Sequence, residues 1–209
     1  MKKQKIYFLS EFKGKNPRIS QTKNYHSKYT ERKYYNINIK EEEKEEEVST
    51  FNDCNFYIID GVEVKEGESY YNIDEINIIE TILKKLNKFI NVHIKNKTIK
   101  IGIFSPYKSQ VKKIKTKCNK TSIKIFKMKF RKIDKIKKNE KFDVVIISLV
   151  RTTYEEIPIL NNPKIINKVF DSSKYLKFIL GNINFISSNT NLRHLYNYLN
   201  NRDCVHEYK

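Results

Sequence analysis

Two places in the sequence gather residue types suited to phosphate contact. In the first, Ile99–Phe104 reads as a short strand, Ser105 ends it, and Pro106 stands where a helix opens. Tyr107 and Gln110 follow within one helical turn. Open α/β sheets bind ligands outside the carboxyl ends of their strands, and a helix start leaves N–H groups free for an anion. A hydroxyl, a phenol and an amide at such a corner suit a backbone phosphate or a base. The same residues also suit plain capping and packing, and both readings stand at this point. In the second place, Arg151 follows the apolar run 144–150 at its carboxyl end. Its planar fork fits phosphate better than a lysine does. A simple surface charge at a strand end is the alternative.

Other chemistries find little support. His26, His93, His194 and His206 are scattered, so no metal or general-base cluster is expected, and all four read as structural or surface residues. Cys54, Cys118 and Cys204 are isolated, which argues against a disulfide framework or a zinc site and fits a reducing compartment. The five glycines form no Gly-Lys-Thr/Ser phosphate loop. No Asp-Glu pair follows an apolar strand to hold magnesium. No catalytic residue is expected in this chain.

The elements that must position the two corners follow from periodicity. Phe56–Asp60 reads as a strand ended by Gly61. Ile76, Ile79, Leu83, Leu86 and Ile90 recur at helical spacing, predicting a helix over 73–90 with Asn72 as its cap and Asp74 and Glu75 facing the dipole. A second helix runs from Pro106 to about Lys117, and a strand over 123–130 follows. The run 143–150 is the strongest strand, apolar enough for burial on both faces. Phe178–Leu180 is another strand, and Leu192, Leu195, Tyr196 and Leu199 mark a last helix over 189–200. Strands alternating with helices predict an α/β fold with a mainly parallel sheet.

With 209 residues the chain is one domain, read as an irregular N-terminal segment over 1–50 and a folded domain over 51–209. No apolar run approaches a membrane span or a signal peptide, so an intracellular, nuclear or cytoplasmic, protein is expected. The formal charge is +18, but 36 Lys, 30 Ile and 23 Asn, with no Ala, match A/T-only codons. Part of the lysine excess therefore reads as codon drift, which a balanced base composition at the locus would contradict. Drift does not explain the distribution. Residues 81–141 hold 21 Lys and Arg against Asp134 and Glu140 alone. A basic face around 108–141 is expected, with a solvated lysine-rich surface as the plainer alternative. The block 41–47, Glu-Glu-Glu-Lys-Glu-Glu-Glu, reads as a solvated or disordered insertion.

Four segments, in order, resemble the second RecA-like domain of superfamily 1 helicases of the nonsense-mediated-decay and senataxin type. They are Ser69-Tyr70-Tyr71-Asn72-Ile73-Asp74-Glu75, the stretch Ile101–Val111, the stretch Asp143–Thr152, and Leu180-Gly181-Asn182 followed by the last helix and Asp203-Cys204-Val205. The resemblance implies a single RecA-like domain of the P-loop NTPase type. It implies nucleic-acid contact through Ser105, Pro106, Tyr107, Gln110, Ser148 and Arg151, with RNA or single-stranded DNA as the partner.

The departures from the family bear on its chemistry. The glutamine and glycine expected before the strand at 143 are missing, and Glu140 stands nearest the family's glutamate. In Lys164–Lys174, Asn167 and Lys174 fit the family pattern, but the arginine finger falls on Ser172. Loss of such a finger typically lowers turnover by ~10³–10⁵. The resemblance makes Glu140 and Lys174 the candidate cofactor-side residues. ATP and magnesium are expected only if another chain supplies a first RecA-like domain. The chain thus reads as a diverged helicase half unable to hydrolyse ATP alone. The alternatives are an active half of a split helicase and a non-enzymatic protein-interaction module.

Overall fold

The computed structural model describes residues 53–93, 98–120, 123, 125–153 and 157–208. The expected irregular segment 1–50, with its acidic block and His26, lies outside these residues, as does the side chain of His93. In chain order the elements are β1 (Cys54–Ile59), β2 (Glu63–Glu66), β3 (Ser69–Asn72), α1 (Ile73–His93), β4 (Ile99–Ser105), α2 (Lys108–Lys120) and β5 (Phe126–Lys132). A single 3₁₀ turn (Ile133–Lys135) leads to β6 (Phe142–Ser148), α3 (Pro158–Asn161), α4 (Pro163–Asp171), β7 (Ser173–Gly181), α5 (Ile183–Ser188), α6 (Thr190–Asn200) and β8 (Val205–Tyr208).

Six strands form one sheet in the order β5-β4-β6-β7-β1-β8, and every pairing in it is parallel. This is the α/β fold with a parallel sheet that the alternation predicts, in the RecA-like arrangement that the resemblance implies. The strand β6 lies inside the sheet and is buried along its whole length. Its side chains alternate between two cores. Val144 and Ile146 enter the core beneath α1 and α2, whereas Val145 and Ile147 enter the core beneath α4, α5 and α6. That two-sided burial is the reason its sequence is continuously apolar.

The helix α1 presents Ile76, Ile79, Leu83, Leu86 and Ile90 to its core, all 3% exposed or less. Its cap is Asn72, whose Oδ1 accepts from the N–H groups of Asp74 and Glu75 at 3.0 and 3.1 Å. Gly61 lies so close that a Cβ there would meet Asp74 Oδ2 at 2.5 Å and Asn72 Oδ1 at 2.9 Å. β2 and β3 form a separate antiparallel hairpin at the mouth of β1, turned at Gly67 with φ +61°.

Several boundaries differ from the sequence reading. α2 begins at Lys108, because the Ser105 hydroxyl takes the Tyr107 N–H at 3.3 Å and the chain bends before the helix starts. Pro106 therefore leads into the helix from a buried position and is not its first residue. The strand expected over 123–130 is Phe126–Lys132, in register with β4 from Ile99↔Phe126 to Ser105↔Lys132. The strand at 178–180 extends back to Ser173. α1 starts at Ile73 as the periodicity predicts but runs on to His93, and Ser69–Asn72 before it is a strand of the hairpin.

Candidate nucleic-acid interface

The two corners singled out from sequence meet at the carboxyl ends of β4 and β6. Beyond β6 the chain makes a tight turn in which the Arg151 N–H donates to the Leu149 carbonyl at 2.9 Å, with Val150 at φ 74°. A β-branched residue rarely adopts that conformation, and such strain clusters at functional corners. Glu75, fully buried, holds this turn. Its Oε1 accepts from the Val150 N–H at 2.9 Å, and its Oε2 accepts from the Ser148 hydroxyl. Burial pushes the Glu75 carboxyl up to about 8, against the opposing pull of those hydrogen bonds.

Gln110 closes the network. Its Nε2 donates to Ser148 Oγ at 2.8 Å and to the Asn72 carbonyl at 3.2 Å, while its Oε1 accepts from the Asn72 N–H at 3.0 Å. Ser69 Oγ accepts from the Ser109 N–H at 3.1 Å. The hairpin, the start of α1, the start of α2 and the end of β6 are thus pinned to one another.

Arg151 lies outside this knot but is still 95% covered. Its Nε donates to Glu63 Oε2 at 2.8 Å, and its Nη1 donates to the Tyr107 hydroxyl at 3.3 Å. Its guanidinium stacks 4.2 Å from the Tyr70 ring centroid, and Tyr70 meets Tyr107 edge-on at 5.3 Å. Burial alone would raise the Glu63 carboxyl, but hydrogen bonds from Arg151 and Thr152 outweigh it and hold the group low.

The structure therefore brings Ser105, Tyr107, Gln110, Ser148 and Arg151 into one corner. Ser105, Gln110 and Ser148 are wholly buried, and Pro106 is buried with them. These four shape the corner from beneath. Two of the first N–H groups about the α2 start, those of Tyr107 and Ser109, are taken by Ser105 and Ser69. What the corner presents outward is the half-buried Tyr107 and the exposed Lys108 and Lys112.

The basic stretch does not form the one face expected. Met128 and Phe130 of β5 pack on the α1–α2 side, so Lys129 and Arg131 project to the other side. There Glu140 meets them, at 2.7 Å from Lys129 Nζ and 2.5 Å from Arg131 Nη1. The charge wraps the edge strand, continuing through exposed Lys135, Lys137, Lys138 and Lys141.

Glu140 and Lys174 sit apart from the corner. Lys174 lies at the amino end of β7, 3.4 Å from Asp143 Oδ1, and Asp143 Oδ2 also accepts from the Lys100 N–H at 2.9 Å. Ser172, at the finger position, is 3% exposed, with its hydroxyl donating to the Val169 carbonyl at 2.6 Å. Glu140 is thus taken up by Lys129 and Arg131, Lys174 lies beside Asp143, and the Ser172 hydroxyl faces inward. Among the described residues, no three His, Cys, Asp or Glu come together to hold a metal ion. No described helix is long and apolar enough to cross a membrane.

Sequence reasoning misses Glu63 and Tyr70, and it gives Glu75 only a role toward the helix dipole. The Ser69–Asn72–Glu75 spacing is the one signal that could draw them together.

A family model described as an AAA domain matches residues 3–184. Among curated proteins, the chain is similar to "Probable helicase senataxin" of Homo sapiens, 28% identical over 164 residues, which cover 74% of this chain and 6% of that protein. The chain thus spans a small fraction of the length of the curated relative it matches.

Proposed function

The chain belongs to the AAA domain family and is a senataxin-like, superfamily 1 helicase-related domain; from that premise we propose that it is a diverged second RecA-like domain that grips RNA or single-stranded DNA and does not hydrolyse ATP alone. The observation that carries the reading is convergence. The stretches 69–75, 105–111 and 143–152, far apart in sequence, close into one hydrogen-bonded corner at the carboxyl edge of the sheet. In this reading Tyr107, Lys108 and Lys112 touch the polymer. Ser105, Pro106, Gln110, Ser148 and Arg151 set their position.

The same premise assigns no step of ATP chemistry to this chain. A first RecA-like domain on another chain would have to bring the phosphate loop and magnesium site. Against it, this domain offers Ser172 where a charge-neutralising arginine would stand. The protein acts inside the cell, consistent with three buried free cysteines.

The test is oligonucleotide binding by the full chain, alongside ATP turnover. Replacing Lys108→Glu and Lys112→Glu together lowers affinity roughly tenfold or more, since a phosphate that meets no lysine keeps its counterions and their release no longer drives binding. Lys164→Glu, on α4 across the sheet, leaves binding within about twofold by the same reasoning. Phosphate release stays at background with or without the oligonucleotide. Equal loss from both variants would contradict the assigned corner, and turnover by the chain alone would contradict the inactive half.

A further inference from the structure

The ladder of the hairpin sorts its side chains onto two faces, since residues directly opposite in an antiparallel pair share a face. Val64↔Tyr71 and Glu66↔Ser69 make one face, and Glu63↔Asn72 and Lys65↔Tyr70 make the other. The first face is taken up by α2. Lys113 lies 4.0 Å over the Tyr71 ring and pairs with Glu66 at 2.9 Å, and Ser69 accepts from the Ser109 N–H. The second face turns toward Arg151 and Tyr107, where Arg151 stacks on Tyr70 and pairs with Glu63 at 2.8 Å.

On that second face two aromatic rings meet. Tyr70 and Tyr107 are each only partly buried, with centroids 5.3 Å apart and planes at 71°. Two rings have four faces. The Arg151 guanidinium covers one, and an edge-to-face contact uses one more, which leaves two for a further planar group. The charge around the rings is positive. Arg151 neutralises Glu63, while Lys65 opposite Tyr70 and Lys108 next to Tyr107 are exposed. A planar group that carries a negative charge beside it suits this combination, as a nucleobase with its phosphates does.

Resting on the nucleic-acid reading above, we propose that the Tyr70–Tyr107 pair stacks an unpaired base of the bound strand, with Lys65 and Lys108 toward its flanking phosphates. Arg151 is a positioning residue. It holds Tyr70 by stacking and Tyr107 through the phenol, and Glu63 holds it in turn. Bases within a duplex are already stacked on both faces, so the pair favours an unpaired strand.

The test compares a short oligothymidylate with an abasic strand of equal length, which keeps the phosphates and lacks the bases. The full chain carrying Tyr70→Leu with Tyr107→Leu should bind the oligothymidylate roughly five- to a hundredfold more weakly than the native chain, the usual worth of one stacked base. Its affinity for the abasic strand should stay within about twofold and its salt slope should not change, because no phosphate contact is lost. Equal loss on both strands would mean that the rings only support the corner, and would overturn the proposal. A second measurement keeps an aromatic ring in place. The chain has no tryptophan, so Tyr70→Trp and Tyr107→Trp each install a single reporter. Emission from at least one of them should be quenched by the oligothymidylate and not by the abasic strand. Binding without quenching at either position would overturn the stacking and leave the grip on phosphate standing. No binding by the native chain at low salt would overturn both.

Discussion

Glu75 concentrates the physical tension of the corner in one side chain. It is fully buried, yet its hydrogen bonds come from donors: the Ser148 hydroxyl and the Val150 N–H. Those contacts favour the carboxylate, and burial disfavours it more strongly, leaving the group up at about 8. The sign of the consequence is fixed by linkage. In the unfolded chain a glutamate releases its proton near the ordinary ~4.3, whereas the folded chain keeps it up to about 8. Its contribution is therefore full at low pH and declines as pH rises through that window. His206, pushed down by burial, acts in the opposite sense below its ordinary range. The comparison that isolates Glu75 is with Glu75→Gln. Urea midpoints should decline from pH 5 to pH 8 more steeply in the native chain than in the variant. Parallel pH profiles would contradict the assignment.

At the scale of elements, legibility tracks how much each element depends on its own sequence. α1 is plain because five apolar residues repeat on one face, and β6 because burial on both faces demands a continuous apolar run. The hairpin is hidden. Its strands, Glu-Val-Lys-Glu and Ser-Tyr-Tyr-Asn, carry no buried apolar side chain and are tied in place through the bonds of Ser69, Asn72 and Glu63 to distant partners. The amino half of β7 is hidden in the same way, since Lys174 and Lys177 break its apolar pattern while β6 holds it from Ser173 and β1 joins only at Lys177. Asn72 joins the legible and hidden parts: its side chain caps α1, while its backbone bonds to Gln110. Asn72→Ala should lower stability by about 1 kcal/mol, the usual loss of a cap. It should leave the Gln110 contacts standing, because they use only the Asn72 main chain. Thermal unfolding checks the first expectation. A loss well above that range would mean that the cap also carries the corner.

For the whole molecule, the sequence shows that phosphate-suited residues stand at strand ends, but not which way each side chain turns. Gln110 reads as a contact from sequence because its type suits one, and Ser148 because the family resemblance implies it. The fold turns them inward, onto each other and onto Glu75. The +18 charge likewise points to a polymer without saying where, and the lysines prove to wrap the β5 edge, some of them neutralised by Glu140. What remains is a helicase-related domain whose corner presents Tyr107, Lys108 and Lys112 outward, with Ser172 buried elsewhere. The most direct measurement is the salt dependence of oligonucleotide binding by the full chain. Phosphates met by Lys108 and Lys112 on a single strand give a log–log slope of about −1.4, and the account predicts a slope of that size or steeper, reduced by Lys108→Glu with Lys112→Glu. A flat dependence, or no binding at low salt, would contradict it.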